Sequence, residues 1–236
     1  MIESYFNVDT CTIPLHEVQC AFPLIPILIG VGGVVWWGLK IYLWKTKPTP
    51  KTTSIAIFGR KASGKTTLWN KLRGFKFNGD YTVTAQEDIE SFTIERGGKK
   101  VVIESTKDIG GGNGWVSHYQ ELIKEGTFIL FLVDATDDSP DARAAVRSRV
   151  QCIQNIVNDK KMDNVGFRIY VTHADGYMQE NPGVTKAEII NRVKKFLDLE
   201  SIRVSKKVCY EYAAVNLTCE EDIDDIKKKI IDRVYE

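Results

Sequence analysis

The sequence predicts an α/β fold of three layers, in which a six-stranded and mostly parallel sheet lies between helices, preceded by one N-terminal transmembrane helix. Two observations lead to this prediction. From residue 53 onward, short apolar runs alternate with helical patterns, which is typical of a parallel sheet covered on both faces. Before that point, a run of twenty residues carries no charge and is long enough to cross a bilayer.

The composition fits a folded protein and excludes several classes. The 236 residues include 32 Lys and Arg against 31 Asp and Glu, and 27% of all residues are charged, which is typical of a globular chain rather than a disordered one. A net charge of +1 argues against a general nucleic-acid-binding protein. Five cysteines are too few for a disulfide scaffold of this length.

The uncharged run at residues 20–39 has the features of a membrane anchor. As a helix it would span roughly 30 Å, the thickness of a bilayer core. Aromatic residues and then lysines follow it, while no Lys or Arg precedes Lys40. The positive-inside rule therefore places the C-terminal side in the cytoplasm. A cleaved signal peptide would need a basic start and a cleavage site, and a helix buried in a soluble core would have a polar face, so we predict an uncleaved single span.

Four parts are predicted along the chain. They are a short extracytoplasmic N-terminal segment (1–19), a transmembrane anchor (20–44), a basic proline-rich linker (45–52) and an α/β domain (53–236). The linker KTKPTPKT is expected to be extended because of its prolines. It would hold the domain close to the membrane.

Within the domain, the apolar runs and the helical patterns follow one another in a regular order. The predicted strands cover residues 54–58, 89–95, 100–104, 128–133, 166–171 and 206–210. The predicted helices cover about residues 65–73, 115–124, 141–158, 185–197 and 220–234. Gly97-Gly98 predicts a tight hairpin turn, which makes the second and third strands antiparallel. Three arginines of the third helix, at positions 143, 147 and 149, are expected on a solvated face, and a partner surface is the alternative.

The strongest motif is GRKASGKT at residues 59–66, which fits GxxxxGK[ST] and stands between an apolar strand and a helix. Its glycines let backbone N–H groups surround a phosphate, and the helix N-terminus adds partial positive charge. Lys65 is expected to reach the β and γ phosphates, and the Thr66 hydroxyl to bind Mg²⁺. The predicted nucleotide-binding residues here are Gly59, Arg60, Lys61, Ala62, Ser63, Gly64, Lys65, Thr66 and Thr67. The alternative is a glycine-rich turn without a ligand.

Two further elements follow later strands. Asp108-Ile109-Gly110-Gly111 resembles the DxxG element of GTPases, which implies that the Asp would hold a Mg²⁺-bound water and that the Gly N–H would meet the γ-phosphate. Thr172-His173-Ala174-Asp175 stands in the place of the guanine-reading [NT]KxD element. Each match is weak alone, and Asp175 could instead cap a helix. Their order is informative, because ligands of open α/β sheets bind at the carboxyl ends of the strands.

From residue 53 to about residue 235, the chain resembles the Ras-like small GTPases, and among them the ADP-ribosylation-factor type. DIGGGNGWVSHY (108–119) resembles the DVGG element of that branch, and FLVDATD (131–137) resembles its next strand. The resemblance implies a P-loop NTPase fold of the Ras-like kind that binds GTP, GDP and Mg²⁺. An anchor ahead of such a domain is similar in layout to the β subunit of the signal-recognition-particle receptor, which is an analogy only.

The resemblance also implies residue roles. A first-switch threonine should meet Mg²⁺ and the γ-phosphate, with Thr84 preferred to Thr82. Asp175 should accept two hydrogen bonds from guanine that adenine does not offer, and Ala213-Ala214 resembles the SA element that contacts the guanine oxygen. The implied metal residues are Thr66, Thr84 and Asp108, and the implied catalytic residues are Lys65, Thr84 and Gly111.

Two positions depart from the family pattern. Gly112 stands where a catalytic Gln is expected, and it has no side chain to orient the attacking water. Intrinsic hydrolysis should then be slow, unless Asn113, His118 or an arginine from a partner completes the site. His173 replaces the lysine of the base element, so that an imidazole would cover the base and affinity is expected to fall.

The function that these observations favour is a membrane-anchored small GTPase, a nucleotide-dependent switch at the cytoplasmic face of a membrane. A protein partner that reads the nucleotide state is expected, a GTPase-activating partner is one way to complete the site, and no nucleic acid is expected. One alternative is a GTP-binding membrane scaffold or receptor subunit with little or no hydrolysis. Another is an ATP-using P-loop enzyme.

Overall fold

The computed structural model describes residues 50–75, 86–197 and 210–236, all within one compact unit, Pro50–Glu236. The predicted anchor (20–44) and both first-switch candidates, Thr82 and Thr84, lie outside the described residues. No helix in the described ranges is long and apolar enough to span a membrane.

The secondary structure alternates strands and helices as predicted. The strands are β1 (Lys51–Thr53), β2 (Ile55–Gly59), β3 (Gln86–Ile89), β4 (Phe92–Arg96), β5 (Lys99–Ile103), β6 (Thr106–Ile109), β7 (Phe128–Asp134), β8 (Gly166–Thr172) and β9 (Tyr210–Ala214). The α-helices are α1 (Lys65–Leu72), α2 (Tyr119–Leu122), α3 (Pro140–Asp159), α4 (Ala174–Glu180), α5 (Lys186–Leu197) and α6 (Glu220–Tyr235).

The central sheet is continuous through Ser54, where β1 passes into β2. On one side β1 pairs in parallel with β5, and on the other side β2 pairs in parallel with β7. The carbonyl of Thr53 accepts from the amide of Glu104 at 3.0 Å, and the carbonyl of Ser54 accepts from the amide of Phe128 at 2.8 Å. Adding the pairs β7–β8 and β8–β9, the order is β4-β5-β1/β2-β7-β8-β9. The predicted sheet of six strands with one antiparallel edge is confirmed.

The antiparallel hairpin is longer than the predicted strands. The pairs Gln86–Ile109 and Phe92–Ile103 belong to one register that runs from β3 and β4 on one arm to β5 and β6 on the other. Its turn is Gly97-Gly98, with φ of 57° and 76°, the mirror-image turn that suits twisted strands. The prediction ended too early because the far end of the first arm is polar and exposed rather than apolar. As a result, the hairpin extends to the DxxG element.

Two apolar clusters cover the two faces of the sheet. The strand β7 contributes residues to both clusters: Ile129, Phe131 and Val133 belong to one, whereas Leu130 and Leu132 belong to the other. Residues of α3 and α5 complete the first cluster, and residues of α1 and α6 complete the second. Burial on both faces explains why β7 reads as one continuous apolar run. The three layers are therefore as predicted.

Three local predictions were wrong. The helix predicted at 115–124 is a 3₁₀ helix, Asn113–His118, followed by the short α2, and Gly114 in its first turn disfavours an α-helix. The short helix α4 lies in a stretch that the sequence did not mark as helical. The last strand continues to Ala214 rather than ending at residue 210, since β9 pairs with β8 as far as Val171.

Candidate functional site

The loop between β2 and α1 has a backbone that demands glycine at two points. Gly59 has φ of 155°, and a Cβ there would lie 2.6 Å from the carbonyl oxygen of Leu132. Gly64 has φ of 88° and precedes the first residue of α1. Ser63 Oγ donates to the carbonyl of Arg60 at 2.9 Å, which closes the loop on itself. The loop therefore ends at a helix N-terminus, whose free N–H groups favour an anion.

Lys65 lies across this loop. Its Nζ donates to the carbonyl of Arg60 at 2.9 Å, and the side chain is largely buried. Burial lowers the pKa of Lys65 to about 8, against the opposing effect of the nearby Asp108 carboxylate. A phosphate beside Nζ would favour the charged form again. The predicted phosphate-binding lysine is thus held by the loop itself.

Thr66 and Asp108 form a pair of oxygen donors beside Lys65. Thr66 Oγ1 donates to Asp108 Oδ2 at 2.6 Å. Asp108 is only 1% exposed, and burial raises its pKa. Its other oxygen, Oδ1, is buried without a hydrogen-bond partner among the described residues. These groups fit Mg²⁺ and its bound water, since this cation prefers oxygen ligands. They are the Thr66 hydroxyl and the Asp108 carboxylate, of which one oxygen accepts no hydrogen bond among the described residues.

The third implied metal residue, Thr84, lies outside the described residues. Within the part of the chain that the structure describes, no three His, Cys, Asp or Glu side chains group as a metal site. The structure therefore places two of the three implied metal residues together, Thr66 and Asp108, and the role of Thr84 stays a prediction.

The DxxG glycine meets the phosphate loop directly. A Cβ at Gly111 would lie 2.1 Å from the amide nitrogen of Lys61 and 2.3 Å from the carbonyl carbon of Arg60. Real Cβ atoms do not approach a backbone so closely, so the contact requires glycine. The structure thus brings together two elements that stand about fifty positions apart in the sequence.

The element at residues 172–175 leaves β8 at the same edge of the sheet. The Thr172 hydroxyl is fully buried and donates to the carbonyl of Ser63 at 3.1 Å, which ties this element to the phosphate loop. His173 has φ of 54°, and its Nδ1 lies 3.0 Å from Asp134 Oδ1. This hydrogen bond raises the pKa of His173.

Asp175 has a partner that sequence reasoning missed. Its Oδ2 accepts from Asn216 Nδ2 at 3.0 Å. The next residue, Leu217, packs against the phosphate loop, because a Cβ at Gly64 would lie 2.5 Å from Leu217 Cδ1. A polar residue two positions after the last strand was the available signal.

Ala213 and Ala214 lie inside β9, opposite Tyr170 and Val171 of β8. Asn216, which donates to Asp175, lies two positions further on, in the loop after the strand. The contact of Ala213-Ala214 with the guanine oxygen stays a prediction.

Arg149 is the second residue that sequence reasoning missed. The helical pattern predicts a solvated face, yet the side chain is 3% exposed and donates to the carbonyl of Gly111 at 2.9 Å. Helical spacing was the available signal, since Arg149 lies three residues after Val146 and four before Ile153, both buried, whereas Arg147 is exposed.

Three elements lie at the carboxyl ends of the strands of an α/β sheet: a phosphate loop, a DxxG element and the element in the place of [NT]KxD. This arrangement defines a P-loop small GTPase of the Ras-like kind. The chain matches the ADP-ribosylation factor family over residues 40–234, and it belongs to that family. This assignment implies guanine-nucleotide binding. No protein with a curated description matches the chain significantly.

Solved structures share the fold. The Arl6 (BBS3) small GTPase from Trypanosoma brucei, with the bound nucleotide analogue GppNp, is 18% identical, with a TM-score of 0.55, over 78% of this chain and 99% of that one. The Methanosarcina barkeri Roco2 RocCORdC protein bound to GDP is 16% identical, with a TM-score of 0.53, over 79% of this chain. The match spans 50% of the Roco2 chain. At these identities the likeness concerns the fold alone.

The His173–Asp134 pair generates a prediction about pH. Because the hydrogen bond raises the pKa of His173 in the folded protein, its contribution to stability is complete below the unfolded value and is lost as pH rises through the folded value. We expect the difference in unfolding free energy between wild type and His173→Gln to shrink as pH rises from 6 to 9. Urea denaturation at each pH measures it. A difference that stays constant would contradict this account of the pair.

Proposed function

We propose that this protein binds GTP and GDP with Mg²⁺ and acts as a nucleotide-dependent switch, anchored by residues 20–44 with its GTPase domain at the cytoplasmic face of a membrane. The observation that carries the proposal is the convergence of Lys65, Asp108, Gly111 and Asp175 at one edge of the sheet. It rests on the family as well, since the chain belongs to the ADP-ribosylation factor family.

Phosphate binding follows from the loop. The N–H groups at the start of α1 and the Lys65 ammonium group present positive charge to the phosphates. Thr66 and Asp108 would hold Mg²⁺, which supplies charge neutralisation to the phosphate oxygens. The hydroxyl of Thr66 and the unpartnered Oδ1 of Asp108 support this role.

Base selection would depend on Asp175. Its carboxylate can accept from the N1–H and the exocyclic amine of guanine, and adenine offers neither donor in that place. Asn216 donates to one carboxylate oxygen, which orients the group. We propose that a backbone N–H at Ala213-Ala214 or in the loop that follows them contacts the guanine oxygen, because that loop borders the phosphate loop at Leu217.

The anchor is supported by the uncharged run at 20–39 and by the lysines that follow it. We expect full-length protein to stay in the membrane pellet after extraction with alkaline carbonate, which removes peripheral proteins. Recovery in the soluble fraction would contradict the anchor.

The selectivity of the site can be measured by titrating the full-length protein in detergent with labelled GTP, GDP and ATP. We expect ATP to bind at least about a hundredfold more weakly than GTP, because a site built to pair with donors rejects a ligand that lacks them. Asp175→Asn should weaken the binding of GTP and strengthen the binding of xanthosine triphosphate, whose base edge presents an acceptor in place of a donor. Lys65→Ala is the control for the phosphate site.

Equal affinity for ATP and GTP would refute the choice of base and favour an ATP-using enzyme. An Asp175→Asn variant that binds GTP as wild type does would show that Asp175 does not read the base.

The rate of GTP hydrolysis distinguishes two candidate functions. Gly112 offers no side chain to orient water, so we propose slow intrinsic hydrolysis that a partner accelerates. The alternative is a GTP-binding scaffold or receptor subunit that scarcely hydrolyses GTP, and the same Gly112 favours it.

Single-turnover hydrolysis of bound GTP separates the two functions. We expect wild type to convert GTP slowly but measurably without a partner, and Gly112→Gln to be faster if a glutamine at that position reaches the water. Conversion no faster than that of GTP in buffer without protein would favour the scaffold.

A further inference from the structure

Helix α3 carries a buried arginine directly behind the DxxG loop. Arg149 Nη2 donates to the carbonyl of Gly111 and to Oδ1 of Asn113, each at 2.9 Å. Nη1 donates to the carbonyl of Ala145 in its own helix at 2.9 Å. One rigid side chain thus connects α3 to two positions of the loop.

The charge of Arg149 makes these contacts costly to break. The side chain is 3% exposed, and its hydrogen bonds to the loop go to a carbonyl and an amide oxygen rather than to a carboxylate. Leaving a buried cation without hydrogen-bond acceptors costs much free energy. The positive charge also extends to the phosphate loop, where it helps to lower the pKa of Lys65.

On its other side, the same loop lies against the phosphate loop. Because a Cβ at Gly111 would lie 2.1 Å from the amide nitrogen of Lys61, the two backbones are in van der Waals contact. A phosphate group does not fit between them in this arrangement. A terminal phosphate that takes hydrogen bonds from both loops therefore requires Gly111 to move away from Lys61, whereas a diphosphate does not.

We infer that Arg149 is a positioning residue that holds the DxxG loop against the phosphate loop and so favours the diphosphate over the triphosphate nucleotide. The inference rests on the proposed function. Displacing Gly111 strains or breaks the contacts of Arg149 with Gly111 and Asn113, and this cost falls on the triphosphate complex alone. Arg149 therefore sets part of the difference in affinity between GTP and GDP without touching either nucleotide.

The test compares the affinities of full-length wild type and Arg149→Met for GDP and for GppNp, both with Mg²⁺. Methionine keeps an unbranched side chain but has no donors. We expect the ratio of the two affinities to shift toward GppNp by roughly tenfold or more, since hydrogen bonds to a charged group no longer oppose the movement. Arg147→Met is the matched control, because Arg147 is exposed on the same helix and should leave the ratio unchanged.

If Arg149 had a purely structural role, its replacement would weaken the binding of both nucleotides equally. An unchanged ratio of affinities in Arg149→Met therefore overturns the inference, as does a shift toward GDP. Where Arg149→Met does not fold, Asn113→Ala decides, because it removes one loop contact and keeps the guanidinium. It should shift the ratio in the same direction by a smaller factor, and an unchanged ratio overturns the inference. If the wild type binds neither nucleotide, the proposed function is overturned as well. If the wild type binds both nucleotides and the variants have the same ratio of GDP and GppNp affinities as the wild type, only this inference is overturned.

Discussion

The close approach of Gly111 to the backbone of Lys61 is the constraint on which the arrangement of the site depends. Two loops that follow different strands meet there with no side chain between them, since any Cβ at Gly111 would lie 2.1 Å from the Lys61 amide. The contact sets where Arg149 can reach the DxxG loop from behind. Three residues before Gly111, Asp108 accepts from Thr66, and the two side chains form the pair of oxygens that fits Mg²⁺.

Buried polar groups gather at this edge of the sheet rather than being spread through the core. Of the eight buried polar or charged side chains in the described ranges, five border the site: Ser63, Lys65, Asp108, Arg149 and Thr172. Burying such groups costs free energy unless they are paired. Their concentration in one place, beside a glycine-rich loop, is therefore better explained by a charged ligand than by stability. The two apolar clusters on the faces of the sheet supply the stability that this edge does not.

The parts of the structure that depend on local pattern are predictable from the sequence. The phosphate loop, the turn at Gly97-Gly98 and the order of strands and helices follow from glycine spacing and from apolar runs. The extension of the hairpin does not, because β3 is polar and forms only through pairing with β6. Arg149 and Asn216 escape prediction for another reason. Their partners, Asn113 and Asp175, lie 36 and 41 positions away in sequence, so that only the fold reveals the contacts.

The central claim is that these elements form one site for a guanine nucleotide, and thermal unfolding of the full-length protein tests it most directly. A ligand that binds only the folded state raises the unfolding temperature. We expect GDP with Mg²⁺ to raise this temperature, ADP with Mg²⁺ at the same concentration to leave it unchanged, and Lys65→Ala to abolish the effect of GDP. An equal rise with ADP, or no rise with either nucleotide, would contradict the claim.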